Sequence, residues 1–190
     1  MMTLLLSVPA FGAALGQPPR KSMIGYAVGA SRVSVDDPRG ATEPAWALQP
    51  ATLVYTARLM SGVRYWSEFY YYQAVLDAGT DRIGQDVERY GLRLSLQKSL
   101  PVSPRWINWF GAGIGLSRSN YTARHTVDEE GYLLERYPDR AENGATLLLN
   151  VASEWSLDRR WSLGVKLEQA IAMSGDAGGP LASLALLYRY

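Results

Sequence analysis

Phe110-Gly111-Ala112-Gly113-Ile114-Gly115-Leu116-Ser117 decides how this chain folds. Phe110, Ala112, Ile114 and Leu116 fall on one parity, Gly111, Gly113, Gly115 and Ser117 on the other. A period of two belongs to a β-strand, whose successive side chains point to opposite faces. Glycine weakens a strand and serves no purpose on a face that is merely wet. It has a purpose where space is short, as inside a narrow eight-stranded barrel whose interior just holds side chains. The apolar residues of the same stretch would overfill such an interior, so they belong outside, against lipid. The expectation from this segment is a barrel turned inside out relative to a soluble one.

The same alternation recurs along the chain from Met23 onward. Ile24, Tyr26, Val28 and Ala30 oppose Gly25, Ala27, Gly29 and Ser31, and Leu53, Tyr55, Ala57 and Leu59 oppose Thr52, Val54, Thr56 and Arg58. Tyr65, Phe69 and Tyr71 oppose Arg64, Trp66, Glu68 and Tyr70, and Tyr90, Leu92, Leu94 and Leu96 oppose Arg89, Gly91, Arg93, Ser95 and Gln97. Past 110–117, the pattern continues with Leu147, Leu149, Val151 and Trp155, then with Trp161, Leu163, Val165, Leu167 and Ile171. It closes with Ala182, Leu184, Leu186, Tyr188 and Tyr190. These eight alternating segments are mostly about the 9–11 residues that a tilted strand needs to cross a bilayer.

The connections alternate too. Long polar stretches at 34–50, 73–86, 119–144 and 173–180 are separated by short ones at 61–63, 99–104 and 156–160. That rhythm fits an up-and-down barrel with tight periplasmic turns and longer external loops, and an even strand count returns both termini to the periplasmic side. The apolar segment 1–16, MMTLLLSVPAFGAALG, is shorter than the roughly 20 residues of a spanning helix. Its small residues Ala14 and Gly16 suit signal-peptide cleavage before Gln17, although no basic residue precedes it. The expected organisation is a signal peptide over 1–16 and one barrel domain over 17–190.

Composition agrees with this picture and excludes others. Charge is nearly balanced, with 19 Lys+Arg against 18 Asp+Glu, so no electrostatic case exists for a nucleic-acid partner. There is no cysteine, which removes disulfides and thiolate metal sites. Tyr and Trp number 12 and 6 against 3 Phe, and their amphipathic rings settle at apolar–water boundaries. Tyr65, Trp106, Trp155, Trp161, Tyr188 and Tyr190 lie beside short turns or the C-terminus and are expected to form one interfacial girdle.

The small-residue faces also carry charge. Arg58, Arg64 and Glu154 fall in a low layer near the turns, and Glu68, Arg93, Lys166 and Glu168 in a middle one. An isolated buried charge is costly, so these must pair, with Glu68–Arg93 the expected pair at equal height on neighbouring strands. Such a set reads either as a plug that blocks or gates a pore, or as the filler of any narrow lumen.

The whole stretch from Met23 to Tyr190 resembles the OmpA/OmpX-type small outer-membrane barrels. The resemblance is architectural. Its nearest approach to a motif is the last strand, where Leu184, Leu186, Tyr188 and Tyr190 alternate and an aromatic residue ends the chain. It implies an all-β, eight-stranded antiparallel transmembrane barrel, recognised by the barrel-assembly machinery and surrounded by outer-membrane lipid and lipopolysaccharide. Members of that group serve in adhesion, resistance or envelope structure, and some modify lipid A.

Function is expected to be structural, surface-interacting or that of a subunit in a complex, around a side-chain-filled, non-conducting lumen. The enzymatic alternative is weak. The one histidine, His125, stands in Arg124-His125-Thr126-Val127-Asp128 without a His-x-Ser arrangement. No catalytic residue, cofactor or metal is assigned. A soluble ligand-binding barrel, with its apolar face inward, is the remaining alternative. Partner contacts are expected in the longest loop, with Arg118, Arg124, His125, Arg136 and Arg140 as candidates, or on the outer wall.

Overall fold

The computed structural model describes residues 22–35, 37, 39–175 and 178–190. The proposed signal peptide at 1–16 lies outside the described residues.

Nine strands follow one another: β1 (Ser22–Val33), β2 (Ala45–Met60), β3 (Val63–Leu76), β4 (Gly84–Ser103), β5 (Trp106–Val127), β6 (Leu133–Arg136), β7 (Arg140–Ser156), β8 (Trp161–Ser174) and β9 (Gly179–Arg189). Every pairing between named strands is antiparallel. The order runs β4-β3-β2-β1-β9-β8-β7-β5, and the β4–β5 ladder closes the ring into an eight-stranded barrel. Strand β6 pairs only with the far end of β5, from His125↔Arg136 to Val127↔Leu133, and prolongs the line of β7 beyond Pro138. Closure matters energetically. It leaves no open edge within the wall, where unpaired backbone groups would be costly in hydrocarbon.

Alternation sorts the side chains as the glycine argument requires. Ala27, Val54, Trp66, Gln97, Asn150, Lys166 and Ala185 are buried inside. Ile24, Leu53, Phe69, Leu94, Ile114, Leu149, Leu167 and Leu186 are exposed on the outer wall. Backbone crowding explains the small residues. A Cβ placed at Gly113 would meet the Leu94 carbonyl oxygen at 2.0 Å and the Ser95 Cα at 2.6 Å. Neither backbone atom can move aside cheaply.

The long stretch 119–144 is not mainly loop. Strand β5 continues to Val127 and β7 begins at Arg140, so the connection is a tall hairpin with its tip at Asp128–Tyr132, where Asp128 accepts the Tyr132 N–H at 2.7 Å. Its polar composition hid the strands: standing in water, this part has no lipid face to mark with leucines. A register shift lies between the pairs Gly84↔His125 and Asp86↔Thr122, and Ala123 there takes a φ of 53°. The extra residue reverses the parity of β5, so that Arg124 and Thr126 turn inward and are buried.

The connections on this side pack on one another. Asp37 pairs with Arg124, Glu43 with Arg82, and the Ile83 N–H donates to the Ala41 carbonyl at 2.9 Å. Beneath them Val33, Val35, Tyr70, Tyr72, Leu76, Val87 and Tyr121 form an apolar cluster within the barrel mouth. Both described ends of the chain lie at the opposite, short-turn side, where Met23 pairs with Arg189.

Candidate functional site: the charged lumen and the raised hairpin

The lumen is built in tiers along β3, whose inward residues rise from Arg64 through Glu68 to Tyr72. In the lowest tier the Arg64 guanidinium reaches across the barrel from β3 to β7 and meets Glu154 at 2.5 Å. Its Nε donates to Gln97 Oε1 at 2.7 Å. The guanidinium carbon lies 3.8 Å from the ring centre of Trp109 and 4.7 Å from that of Trp66. Gln97 continues the network to Asn150 at 2.7 Å, and Asn150 donates to Ser95 at 2.9 Å. A charge in this tier is thus paired, hydrogen-bonded and set against aromatic rings, which is what a desolvated ion needs.

The middle tier joins two cations and two acids. Lys166 Nζ lies 2.7 Å from Glu68 and 3.0 Å from Glu168. Arg93 lies 3.5 Å from Glu68 and 3.3 Å from Glu168. Glu68 also accepts the Trp66 indole N–H at 2.8 Å, and Arg93 stacks 3.8 Å over the Tyr70 ring centre. Glu68 and Arg93 are direct cross-strand partners, but the shorter contact of Glu68 is to Lys166, from the far wall. Contacts of this kind tie opposite sides of the barrel and fix its cross-section.

Arg58 departs from its expected place. It has inward parity and stands opposite Arg64 in the β2–β3 ladder, yet it is exposed. Register does not separate the two: Arg64 extends across the lumen to Glu154, and Arg58 is left facing solvent. Arg89, one step above the middle tier, is buried although it was not in the expected charge set. Its partners are hydroxyl groups, not carboxylates, so a search for opposite charges passes over it. Trp109 is buried in the tier of Arg64, one residue before the run of alternation that starts at Phe110, so that run gives no sign of it.

The aromatic residues near the short turns form outward pairs. Trp106 and Trp155 are register partners with ring centres 6.0 Å apart, and Trp161 and Tyr188 are partners at 5.0 Å. Tyr65 faces Tyr55 at 5.5 Å, and Tyr190 is exposed at the end of the chain. In the β7–β8 turn, Asp158 accepts the Trp161 N–H at 2.7 Å and the Arg160 N–H at 2.6 Å. Those two backbone donors hold its carboxyl below the ordinary aspartate value.

The five loop candidates separate. Arg118 is exposed on the outer face of β5, one step above Leu116, and Arg136 is exposed on β6. His125 is half-buried, with Nδ1 2.6 Å from the Ala123 carbonyl oxygen, and it lines an open groove of about 690 Å³ with Arg136, Tyr137 and Asp139. Arg124 is a correction. It is buried, pairs with Asp37 and donates to the Pro138 carbonyl at 2.5 Å, so its guanidinium braces the loops from the floor of the His125 groove instead of standing free at the surface. Arg140 is half-buried, 4.6 Å over the Tyr121 ring and 3.2 Å from Glu142. Among the described residues, no group of three or more acidic, histidine or cysteine side chains is placed to hold a metal ion.

An apolar outer wall, a closed eight-stranded ring with charged groups turned inward and paired aromatics at one rim define a transmembrane β-barrel of the outer-membrane type. Solved structures of such barrels share the fold. Neisserial surface protein A matches with a TM-score of 0.61 at 10% identity, over 88% of this chain and 95% of that one. OprG from Pseudomonas aeruginosa matches with a TM-score of 0.59 at 8% identity, over 90% and 96%. Ail, the attachment invasion locus protein of Yersinia pestis, matches with a TM-score of 0.52 at 11% identity, over 90% and 99%. No family model and no curated protein matches the sequence. The likeness therefore rests on the wall, the closure and the strand number.

Proposed function

We propose that this protein is a closed, non-enzymatic barrel of the bacterial outer membrane that works as a surface-interaction protein through its raised hairpin. Short turns and both termini face the periplasm in this reading, and the hairpin stands outside the cell. The observation that carries it is the height of β5 and β7. At 22 and 17 residues they exceed the roughly 9–11 needed to cross a bilayer, so a two-stranded tongue stands clear of the membrane. Its tip combines acidic Asp128, Glu129 and Glu130 with exposed Tyr132, Leu133 and Leu134. Exposed aromatic and aliphatic side chains at a loop tip suit a protein partner.

Sign of charge favours a basic protein surface over a polyanion. Ail has been solved in complex with a heparin analogue, sucrose octasulfate; three consecutive acids at this tip would repel such a ligand. Arg118, just above the apolar wall, is placed for lipopolysaccharide phosphates. Insertion by the barrel-assembly machinery follows from the same reading. Against catalysis, the groove at His125 is lined by no serine, threonine or cysteine that histidine could activate.

The test has two arms. Purified protein in planar bilayers is expected to give no sustained conductance, and a stable ohmic pore would refute the closed barrel. Cells displaying the protein are expected to adhere to surfaces coated with basic proteins and not to heparin. The triple variant Tyr132→Ser, Leu133→Ser, Leu134→Ser should lose that adhesion. Unchanged adhesion would remove the hairpin from the account.

A further inference from the structure

The short-turn end of the barrel is strongly cationic. Its connections between strands are Ser61-Gly62, Pro104-Arg105 and Leu157-Asp158-Arg159-Arg160. They hold three arginines, all exposed, against one acid. The carboxylate of that acid is committed within its own turn, where Asp158 Oδ1 accepts the Arg160 and Trp161 N–H groups. It offsets one of the three positive charges. Residues 1–21, outside the described set, contain no aspartate or glutamate to offset the others.

Backbone hydrogen bonds gather these arginines on one arc. The Ser156 N–H donates to the Arg105 carbonyl at 2.8 Å and ties the β7–β8 turn to the β4–β5 turn. The Arg189 N–H donates to the Arg160 carbonyl at 2.7 Å and ties the same turn to β9. Arg189 also donates from Nη1 to the Arg159 carbonyl at 3.3 Å and from Nη2 to Ser162 at 3.5 Å. A fourth cation thus braces the turn that carries two others. Like charges held this close raise the local potential and favour an anion beside them.

The arc carries apolar surface as well. Both stacked or edge-on pairs Trp106–Trp155 and Trp161–Tyr188 stand on it, and Leu157 is 56% exposed in the turn. Such rings settle where acyl chains meet headgroups, which sets Arg105, Arg159 and Arg160 at the level of the phosphates. Guanidinium groups bind phosphate oxygens in pairs. A soluble anion would leave the rings and Leu157 uncovered, whereas a lipid covers both.

We infer that this arc binds an anionic phospholipid of the phosphatidylglycerol type, its phosphodiester on Arg105, Arg159 and Arg160 and its acyl chains against the two aromatic pairs. The inference rests on the orientation proposed above, which sets the short turns against the phospholipid leaflet. The arginines select against phosphatidylethanolamine, whose headgroup brings an ammonium of its own.

Full-length protein reconstituted into vesicles of both lipids tests this, with bromines on the acyl chains of one lipid at a time to quench tryptophan. Phosphatidylglycerol is expected to associate more tightly than phosphatidylethanolamine with the wild type, and added salt should shrink the difference. An arginine at the headgroup level is worth about a fivefold preference, so Arg159→Gln with Arg160→Gln should lower it by about tenfold or more. Arg32→Gln, on an exposed arginine towards the opposite rim, should leave it unchanged. Equal association of the two lipids would overturn the inference. So would a preference that survives the double variant, or one that falls as far in Arg32→Gln. Orientation is tested apart from this, since vesicles report the site whichever way the barrel points. Labelling of Leu157→Cys in intact cells by an impermeant thiol reagent would refute the orientation and leave the vesicle result standing.

Discussion

Strand β5 passes through two environments, and its lower and upper halves obey different rules. From Trp106 to Leu116 its outward side chains meet lipid, and its inward glycines make room for the charges of the lumen. From Arg118 to Val127 the outward side chains meet water, and a bulge at Ala123 turns Arg124 in to brace the loops. In the lower half few residues are free to change, because a Cβ at Gly111 or Gly113 would run into the carbonyl oxygen of Leu96 or Leu94 on the neighbouring strand. In the upper half the backbone ladder persists while side chains are released for contacts. The same backbone thus supplies a fixed scaffold below and a variable surface above.

The contrast is sharpest where a lumen charge is left alone. Glu154→Ala strands the Arg64 guanidinium among Gln97, Trp66 and Trp109, and should cost about 3–5 kcal/mol of unfolding free energy in urea titrations of the detergent-refolded barrel. Glu68→Gln removes the carboxylate shared by Lys166 and Arg93 but keeps the shape and an acceptor. A loss of about 1.5–3 kcal/mol is expected, the range for hydrogen bonds to charged groups. Gly113→Ala forces a methyl group onto the Leu94 carbonyl and should cost about 1–3 kcal/mol by overpacking. In the hairpin, the triple serine variant at Tyr132, Leu133 and Leu134 should stay within about 0.5 kcal/mol per substitution. Equal costs in the two halves would erase the distinction between scaffold and surface.

The smallest effect is expected outside both halves, in the β7–β8 turn. Asp158 has a lowered pKa in the folded protein, so its stabilising contribution is fully present above the unfolded aspartate value, near 3.9. That contribution is lost as pH falls through the lower folded value. Carboxyl titration by NMR should place Asp158 below the other exposed aspartates, and Asp158→Asn should flatten the acid limb of the stability profile slightly.

Much of this was legible in the sequence, and the unread parts share a cause. Strand number, closure and facing follow from a period of two with glycine on one side, because lipid and a narrow lumen each impose one residue class on one parity. Where water replaces lipid the rule lapses, which is why 119–144 reads as a loop although most of it is strand. Arg58 and Arg64 have the same parity and are register partners, and parity does not reveal that only Arg64 finds Glu154, Gln97 and two indole rings inside the lumen. Arg89 could not be found by pairing opposite charges, since Ser119, Tyr72 and Tyr121 are its partners. The bulge is silent because alanine, not glycine, takes the positive φ at 123. The ion pairs across the lumen depend on which side chains meet at its centre: strand order sets β8 opposite β3, and the 2.7 Å contact shows that Lys166 reaches Glu68.

The cysteine-free chain permits a direct test of which face meets lipid. Single cysteines at Leu94 and at Ser95, one residue apart on β4, can each carry an environment-sensitive fluorophore in protein reconstituted into lipid vesicles. The account predicts that the label at 94 is quenched by nitroxide-bearing lipid and shielded from aqueous quencher. Position 95 should resist labelling in the folded barrel and, if labelled before folding, escape the lipid quencher. Lipid quenching at 95 with aqueous exposure at 94 would contradict the arrangement on which every other conclusion stands.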